Sequence, residues 1–310
     1  MTTFQPLIAA AASPSSQTTS YPARYPVAII GAGALGLSFA ARIARTLRVA
    51  VVARDRAAAA RLRQGVRVGD TLFQPEAWAP EEAPQADWVI VLVKTGDTAA
   101  AARSAARMQP LGVLSLQNGL VEPVLQAHCP LPRVAQGITT TGAFRDASGV
   151  TPSGDGEVLV PPGFEELASM LARAGLDARV EDDIVPARLA KLLVNLAINP
   201  LAALFRVRNG ELLEAPYRFW LDALVAEAWP VLCAEGLALD EAAAHARVRA
   251  VAQATATNRA SMLQDVLAGR PTELDAITGV LIELAARQGA AVPTHRAVHR
   301  LLSLVEAPAG

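Results

Sequence analysis

The chain has 310 residues, with 28 lysines and arginines against 29 aspartates and glutamates, for a net charge of −1. That balance excludes the broad basic surface needed to grip nucleic acid and leaves a small molecule as the expected partner. The length exceeds the usual single-domain mode, so two domains are expected. Cys129 and Cys233 are too few for a disulfide framework and badly spaced for a metal site, which fits a reducing cytoplasm.

Residues 1–24 contain a short Ala-rich patch with no basic residue before it, followed by Ser, Thr and Pro. This composition predicts a loosely ordered tail rather than a signal peptide. No later segment has the roughly 20 consecutive apolar residues, free of charge, of a membrane helix. Neither export nor a membrane anchor is expected.

Order is predicted to begin at "YPVAIIGAGALGLSFAARIARTLRVAVVARD". Val27 to Ile30 read as a strand, an Ala-rich helical pattern runs to about Thr46, and Val49 to Ala53 read as a second strand. The turn between strand and helix is Gly31, Ala32, Gly33, Ala34, Leu35 and Gly36, a GxGxxG in the context that makes the motif strong. Gly31 allows the tight turn, Gly33 lets backbone approach a pyrophosphate, and Gly36 lets helix and strand pack closely. The helix N-terminus offers N–H groups to phosphate. After the second strand the chain reads Ala53-Arg54-Asp55. An arginine there accommodates a ribose 2′-phosphate and an acid bonds a 2′-hydroxyl, so Arg54 favours NADPH while Asp55 keeps NADH as an alternative. Arg56 and Arg61 add to the basic patch, and read more simply as a solvated helix face.

A buried-type strand from Trp88 to Val93 ends at Lys94, and another ends at Gln117-Asn118-Gly119. Strands of an open parallel sheet present ligands at their carboxyl ends, which makes Lys94 and Asn118 candidate contacts on the rim that carries the glycine turn. Asn-Gly also suits a tight turn on its own account. Short strands are predicted between Arg133 and Val160, with "SGDG" as a turn. A helix stopped by Gly175 and a short strand from Leu176 to Val180 follow. From Pro186 to Glu306 only helical patterns occur, broken at Pro200, Gly210, Pro216, Gly236, Gly269 to Pro271 and Gly289 to Pro293. The expected organisation is a Rossmann domain over 25–184 and an all-helical domain over 185–310, an α/β protein with a helical second domain.

The stretch "KLLVNLAINP" opens the helical part. Lys191, Asn195 and Asn199 recur every four residues and form a polar stripe on a helix that is otherwise apolar all round. An unpaired buried amide costs about 1–3 kcal/mol, so the stripe must line a polar cavity unless it lies on the surface of an amphipathic helix. Pro200 disfavours helical geometry at Asn199, so the helix is expected to end there. Further on, Asn258, Ser261 and Asp265 fall at helical spacing, and Glu273 opens another helix. Ser261 could donate to a carboxylate and Glu273 accept from a hydroxyl; alone, each is more often structural.

Taken together, "GAGALG", "KLLVNLAINPLAAL" with "NGEL", "SMLQDVLAGRPTELDAITG" and "GAAVPTH" resemble the ketopantoate reductase (2-dehydropantoate 2-reductase) family. The resemblance implies a Rossmann domain joined to a helical domain of the 6-phosphogluconate-dehydrogenase C-terminal type. It also implies NADPH-dependent reduction of ketopantoate to pantoate in pantothenate biosynthesis. By this resemblance Lys191 is the catalytic lysine, and Asn118, Asn195, Asn199, Ser261 and Glu273 bind substrate. Arg54, Lys94 and Asn118 join the glycine turn on the cofactor side. A homodimer is compatible with the resemblance, and no metal is implied. One departure is that Thr46-Leu47-Arg48 lacks the glycine common in the family between the first helix and second strand, which bears on the register of Arg54.

Overall fold

The structure is a computed structural model that describes residues 24–306; the expected tail lies outside the described residues, save Arg24. Arg24 opens β1 (Arg24–Ile30), whose apolar run is followed by α1 (Ala34–Ile43) and β2 (Val49–Val52). Next come α2 (Arg56–Arg63), the short strands β3 (Val66–Val68), β4 (Thr71–Phe73) and β5 (Glu76–Trp78), and then β6 (Gln85–Val91). After β6 the chain forms α3 (Thr98–Arg107), β7 (Gly112–Ser115), α4 (Glu122–His128) and β8 (Val134–Gln136). Six of these strands make one parallel sheet in the order β5-β2-β1-β6-β7-β8. Its central strands are buried on both faces, one packed under Leu37 and Phe39, the other under Ala101, Ala102 and Leu125. That double burial explains the unbroken apolar runs of β1, β2 and β6.

Strand order reverses beside β1, so the sheet opens a crevice at its carboxyl end. The remaining strands are β9 (Ile138–Thr139), β10 (Gly142–Asp146), β11 (Gly149–Ser153) and β12 (Glu157–Val160), then α5 (Glu165–Arg173) and β13 (Asp177–Val180). The hairpin β10–β11 joins β3 and β4 in a second sheet that packs on α1, and β13-β12-β9 form a third. The strands at 66–78 have too few residues for period-two alternation to show in the sequence. Between α1 and β2, the amide of Leu47 reaches the carbonyl of Ile43 at 2.9 Å. No residue from Thr46 to Arg48 takes a positive φ, so this turn closes without the family's glycine. Arg54 therefore follows directly from a β2 in full register with β1.

The helical part starts with α6 (Ile184–Phe205) and continues with α7 (Tyr217–Ala234), α8 (Glu241–Ala254), α9 (Ser261–Leu267), α10 (Val280–Gln288) and α11 (Pro293–Glu306). Pro200 does not end α6, contrary to the expectation from its local chemistry: the helix runs through it to Phe205. An interior proline costs about 3 kcal/mol. Here α6 is the axis of the core, and Leu196, Ala197, Ile198, Leu201 and Ala202 are all buried against its neighbours, which outweighs that local cost. By length and composition α6 could also cross a membrane, although two-thirds of its most apolar window, 67%, is buried within this fold.

Helix α11 is fastened to α7 by one carboxylate. Glu227 accepts the backbone N–H groups of Thr294 at 2.8 Å and His295 at 3.1 Å, and lies 3.2 Å from His295 Nδ1. Burial alone would raise the pKa of Glu227, but these donors win and hold it at about 2 against an ordinary 4.5. A depressed carboxylate stabilises the fold above its unfolded pKa, and that contribution disappears as pH falls through its folded value. Glu227→Gln should therefore destabilise the protein by about 1–3 kcal/mol at pH 7. In parallel urea melts at stepped pH, the gap between wild type and variant should narrow below about pH 4.5 towards about pH 2; a gap independent of pH would contradict this account.

Candidate active site

The cleft between the sheet's carboxyl edge and the helical domain has a volume of about 1610 Å³. On the sheet side the chain turns from β1 to α1 at Gly31, whose φ of +120° suits only glycine; a Cβ there would lie 2.6 Å from the Leu92 carbonyl group. Gly33 caps α1 with no side-chain hydrogen bond, and a Cβ on it would meet nothing within 4 Å. The first-turn amides of α1 thus face open space, with Ala32, Ala34 and Leu35 lining the cleft beside Gly31 and Gly33. Gly36 is behind the turn: a Cβ would fall 1.8 Å from the Gly31 carbonyl oxygen, so it serves packing and does not line the cleft. These residues fit a dinucleotide, with bare helix amides and a backbone cradle where a diphosphate needs both.

At the far end of this groove Arg54 and Arg61 line the cleft, and the Arg54 side chain is 83% exposed. Asp55 is directed elsewhere. Its carboxylate caps α2, accepting the Ala58 N–H at 2.7 Å, and takes Arg54 Nε at 3.2 Å. The Ala58 amide is the main cause of its lowered pKa. Arg56 turns away to Glu81 and Glu82, at 2.9 and 3.1 Å.

The opposite wall is α6. Lys191, Asn195 and Asn199 line the cleft in one row, Asn199 being only 8% exposed. None of these three side chains makes a hydrogen bond with another described residue. Burial draws the Lys191 ammonium down to a pKa of about 8 from its ordinary 10.5, and the nearby Glu273 charge opposes that fall. Ser261, at the start of α9, lines the same wall. Asn258 does not continue its face: it precedes α9 in a turn, where its backbone oxygen accepts the Asn209 amide at 3.1 Å. Helix α8 ends at Ala254 and α9 starts at Ser261, so helical spacing across residues 255–260 has no meaning.

Two carboxylates of the helical domain cross the cleft. Glu273, just ahead of a π-helical turn at Asp275–Gly279, accepts Asn118 Nδ2 at 3.0 Å and the Thr95 N–H at 3.3 Å. Gly119, with φ of +74°, completes the turn after β7; a Cβ there would stand 2.4 Å from the Ala276 carbonyl oxygen. The Asn118-Gly119 turn therefore serves both chain reversal and contact with Glu273. Asp265, with a side chain 6% exposed, forms an ion pair with Lys94 and accepts Arg270 Nε at 3.0 Å. Lys94 lines the cleft, as expected for a rim residue, but its ammonium is also tied across to α9.

Sequence reasoning did not anticipate Asp265, Arg270, Gln264 or the Thr139–Asp146 segment as cleft residues, nor the Thr95 N–H as a partner of Glu273. Asp265 carried a signal, being four residues after Ser261 on one helix face. The hairpin segment carried none, because its place over the cleft depends on pairing with distant β3. Among the described residues, no group of three or more His, Cys, Asp or Glu could hold a metal ion.

A Rossmann-type sheet, a glycine-rich turn and a helical wall facing each other across one cleft define a two-domain dinucleotide-binding protein. Residues 27–162 match the family model described as ketopantoate reductase PanE/ApbA, and residues 183–306 match ketopantoate reductase PanE/ApbA C terminal. The chain belongs to the ketopantoate reductase family. It is 35% identical over 292 residues to a 2-dehydropantoate 2-reductase of Archaeoglobus fulgidus, covering 90% of this chain and 97% of the relative. The solved PanE/ApbA family ketopantoate reductase of Ralstonia eutropha JMP134 superposes with a TM-score of 0.81 at 28% identity, covering 90% of this chain and 98% of that one. A D-mandelate dehydrogenase solved with NADH and anilino(oxo)acetate has the same fold, with a TM-score of 0.83 at 22% identity over 90% of this chain and 97% of that one.

A lysine whose pKa is lowered by folding destabilises the folded state while it is charged, and that cost is relieved as pH rises from the folded towards the unfolded value. Lys191→Met should therefore raise stability at pH 7 by about 2–3 kcal/mol. The gain should shrink between pH 8 and 10.5, the folded and ordinary values of this lysine. Equilibrium denaturation of both proteins across that range measures it, and a variant less stable at pH 7 would show that the ammonium has stabilising partners.

Proposed function

We propose that this chain reduces 2-dehydropantoate (ketopantoate) to pantoate with NADPH, as a cytoplasmic enzyme of pantothenate biosynthesis. The observation that carries the reading is the row Lys191, Asn195 and Asn199: polar groups in a buried helix, facing the cleft, with no hydrogen bonds to the described residues. Set on a clamped helix and left unengaged by the protein, these donors and acceptors are available to a ligand in the cleft.

Gly31, Gly33 and the α1 amides would hold the diphosphate of the cofactor, with Lys94 and Asn118 nearer its nicotinamide end. When bound, the reduced nicotinamide supplies a hydride to the ketone carbon. Negative charge then grows on the ketone oxygen, and the Lys191 ammonium stabilises that charge and delivers the proton. A pKa of about 8 suits this donor, charged at neutral pH yet ready to give up its proton. Asn195 and Asn199 orient the lysine and the substrate, while Ser261 and an asparagine hold the carboxylate. Glu273 accepts from the primary hydroxyl. Its two oxygens each take one protein donor, Thr95 N–H and Asn118 Nδ2, which fixes its plane and leaves acceptor capacity on both.

The exposed Arg54 and Arg61, set against an Asp55 already engaged in capping, support NADPH over NADH. The fold does not select the keto acid, because a fold hosts varied substrates. Selection rests on Glu273: a site built to bond a hydroxyl rejects analogues that lack it.

With ketopantoate, NADPH should be oxidised at least about tenfold more efficiently than NADH, and Arg54→Ala should erode that preference. Lys191→Ala should lower kcat by about 10² or more while changing NADPH affinity little. In the wild type kcat should fall as pH rises above about 8; a profile flat to pH 10 would remove Lys191 as proton donor. Glu273→Gln should lose most efficiency on ketopantoate and little on a 2-keto acid without the hydroxyl. A substrate panel led by another keto acid would reassign the enzyme within its fold.

A further inference from the structure

The hairpin β10–β11 overhangs the glycine turn and brings one unassigned cation to it. Arg145, on β10, lines the cleft, and its Nη1 donates to the Ala32 carbonyl oxygen at 3.4 Å. That is the long end of the hydrogen-bond range, so the guanidinium is placed at the turn without being consumed by it. Its neighbour Asp146 does not neutralise it. That carboxylate accepts Ser148 Oγ at 2.5 Å and Ser148 N–H at 2.8 Å, which hold its pKa below the usual carboxylate range. Among the described residues Arg145 has no ion pair. Three other cations of the cleft do, Arg54 with Asp55, and Lys94 and Arg270 with Asp265; Arg61 and Lys191 share the unpaired state but lie away from the glycine turn, on α2 and α6.

The charge at the turn is otherwise one-sided. A diphosphate brings two negative charges, whereas the α1 terminus offers about half a positive charge, and no basic residue lies in its first turn. We propose that Arg145 is a further cofactor-binding residue. Its guanidinium closes over the diphosphate of the dinucleotide and exchanges the loose bond to Ala32 for charge-assisted bonds to phosphate oxygens. This rests on the dinucleotide reading of the cleft and deepens it.

The backbone needs no movement for this. Five residue pairs from Gly142↔Ser153 to Asp146↔Gly149 fix β10 to β11, Val150 pairs with Val68 of β3, and the sheet packs on α1. Only a side chain has to swing. The planar guanidinium can meet two phosphate oxygens at once, which a lysine cannot.

The test is equilibrium binding by calorimetry to wild type, Arg145→Ala and Arg145→Lys, each first shown to melt like the wild type. The ligands are NADPH, 2′-phospho-ADP-ribose and ADP-ribose, which contain the diphosphate, and adenosine 2′,5′-bisphosphate and AMP, which do not. Arg145→Ala should weaken the diphosphate ligands about tenfold or more and the two shorter ligands less than about twofold, with Arg145→Lys between. Equal losses on both sets, or no loss on either, would overturn the proposal. Arg54→Ala separates it from the NADPH reading: that variant should weaken ligands with the 2′-phosphate, whether or not they carry the diphosphate. An inert Arg54→Ala beside the expected Arg145 pattern sinks the NADPH preference and leaves Arg145 standing. Failure of every ligand to bind the wild type overturns both.

Discussion

An ammonium ion drawn out of water has to be held there by something stronger than its own hydration, and the holding is done by α6. Lys191 is fixed in the wall of the cleft because nearly every other side of its helix is clamped: Leu192, Leu193, Leu196, Ala197 and Leu201 are buried in the helical core. The same clamp keeps Pro200 inside a continuous helix. Each apolar side chain fully removed from water contributes about 1.5–3 kcal/mol, so a handful exceeds both the desolvation of one lysine and the missing bond at one proline. Stability has been given up at this point, and what it leaves is an ammonium whose pKa is drawn down to about 8.

The charge that balances the lysine comes from its own domain but is positioned by the other. Glu273 is the charge that resists the fall in its pKa, and Glu273 is itself held by Thr95 and Asn118 of the sheet domain. A change in how the two domains meet would therefore move a carboxylate, and through it alter the proton affinity of Lys191. Asp265 works in parallel. Joined to Lys94 on one side and Arg270 on the other, it keeps two cations at the cleft while offsetting part of their mutual repulsion. Each of its oxygens takes one charged donor, Lys94 on Oδ2 and Arg270 on Oδ1.

What could be read from the sequence was whatever is determined within a few residues. The strand-turn-helix at Val27 to Thr46 is written in local apolar runs and glycines, and the row Lys191, Asn195 and Asn199 in helical spacing. Both are present in the fold. Local chemistry misled at Pro200, where tertiary packing outweighed proline's preference, and at Asn258, where spacing was counted across a break in the helix. Arg145 was invisible for a different reason. Its position over the glycine turn follows from Val150 pairing with Val68, some eighty residues earlier in the chain, and no local pattern encodes such a pairing.

The π-helical turn at Asp275–Gly279 shows how the two demands on that segment are reconciled. Glu273 and Ala276 must face the sheet domain, whereas Ile277, Leu281 and Leu284 must enter the helical core. Successive residues of an α-helix are about 100° apart, so one regular helix fixes the angle between those two sets and cannot adjust either. A π turn admits one extra residue and rotates everything beyond it by about that step. The core side of α10 can then be set by packing while Glu273 and the Ala276 carbonyl are set by contact with Asn118 and Gly119. The cost is a weaker turn of helix, confined to the place where the two domains touch.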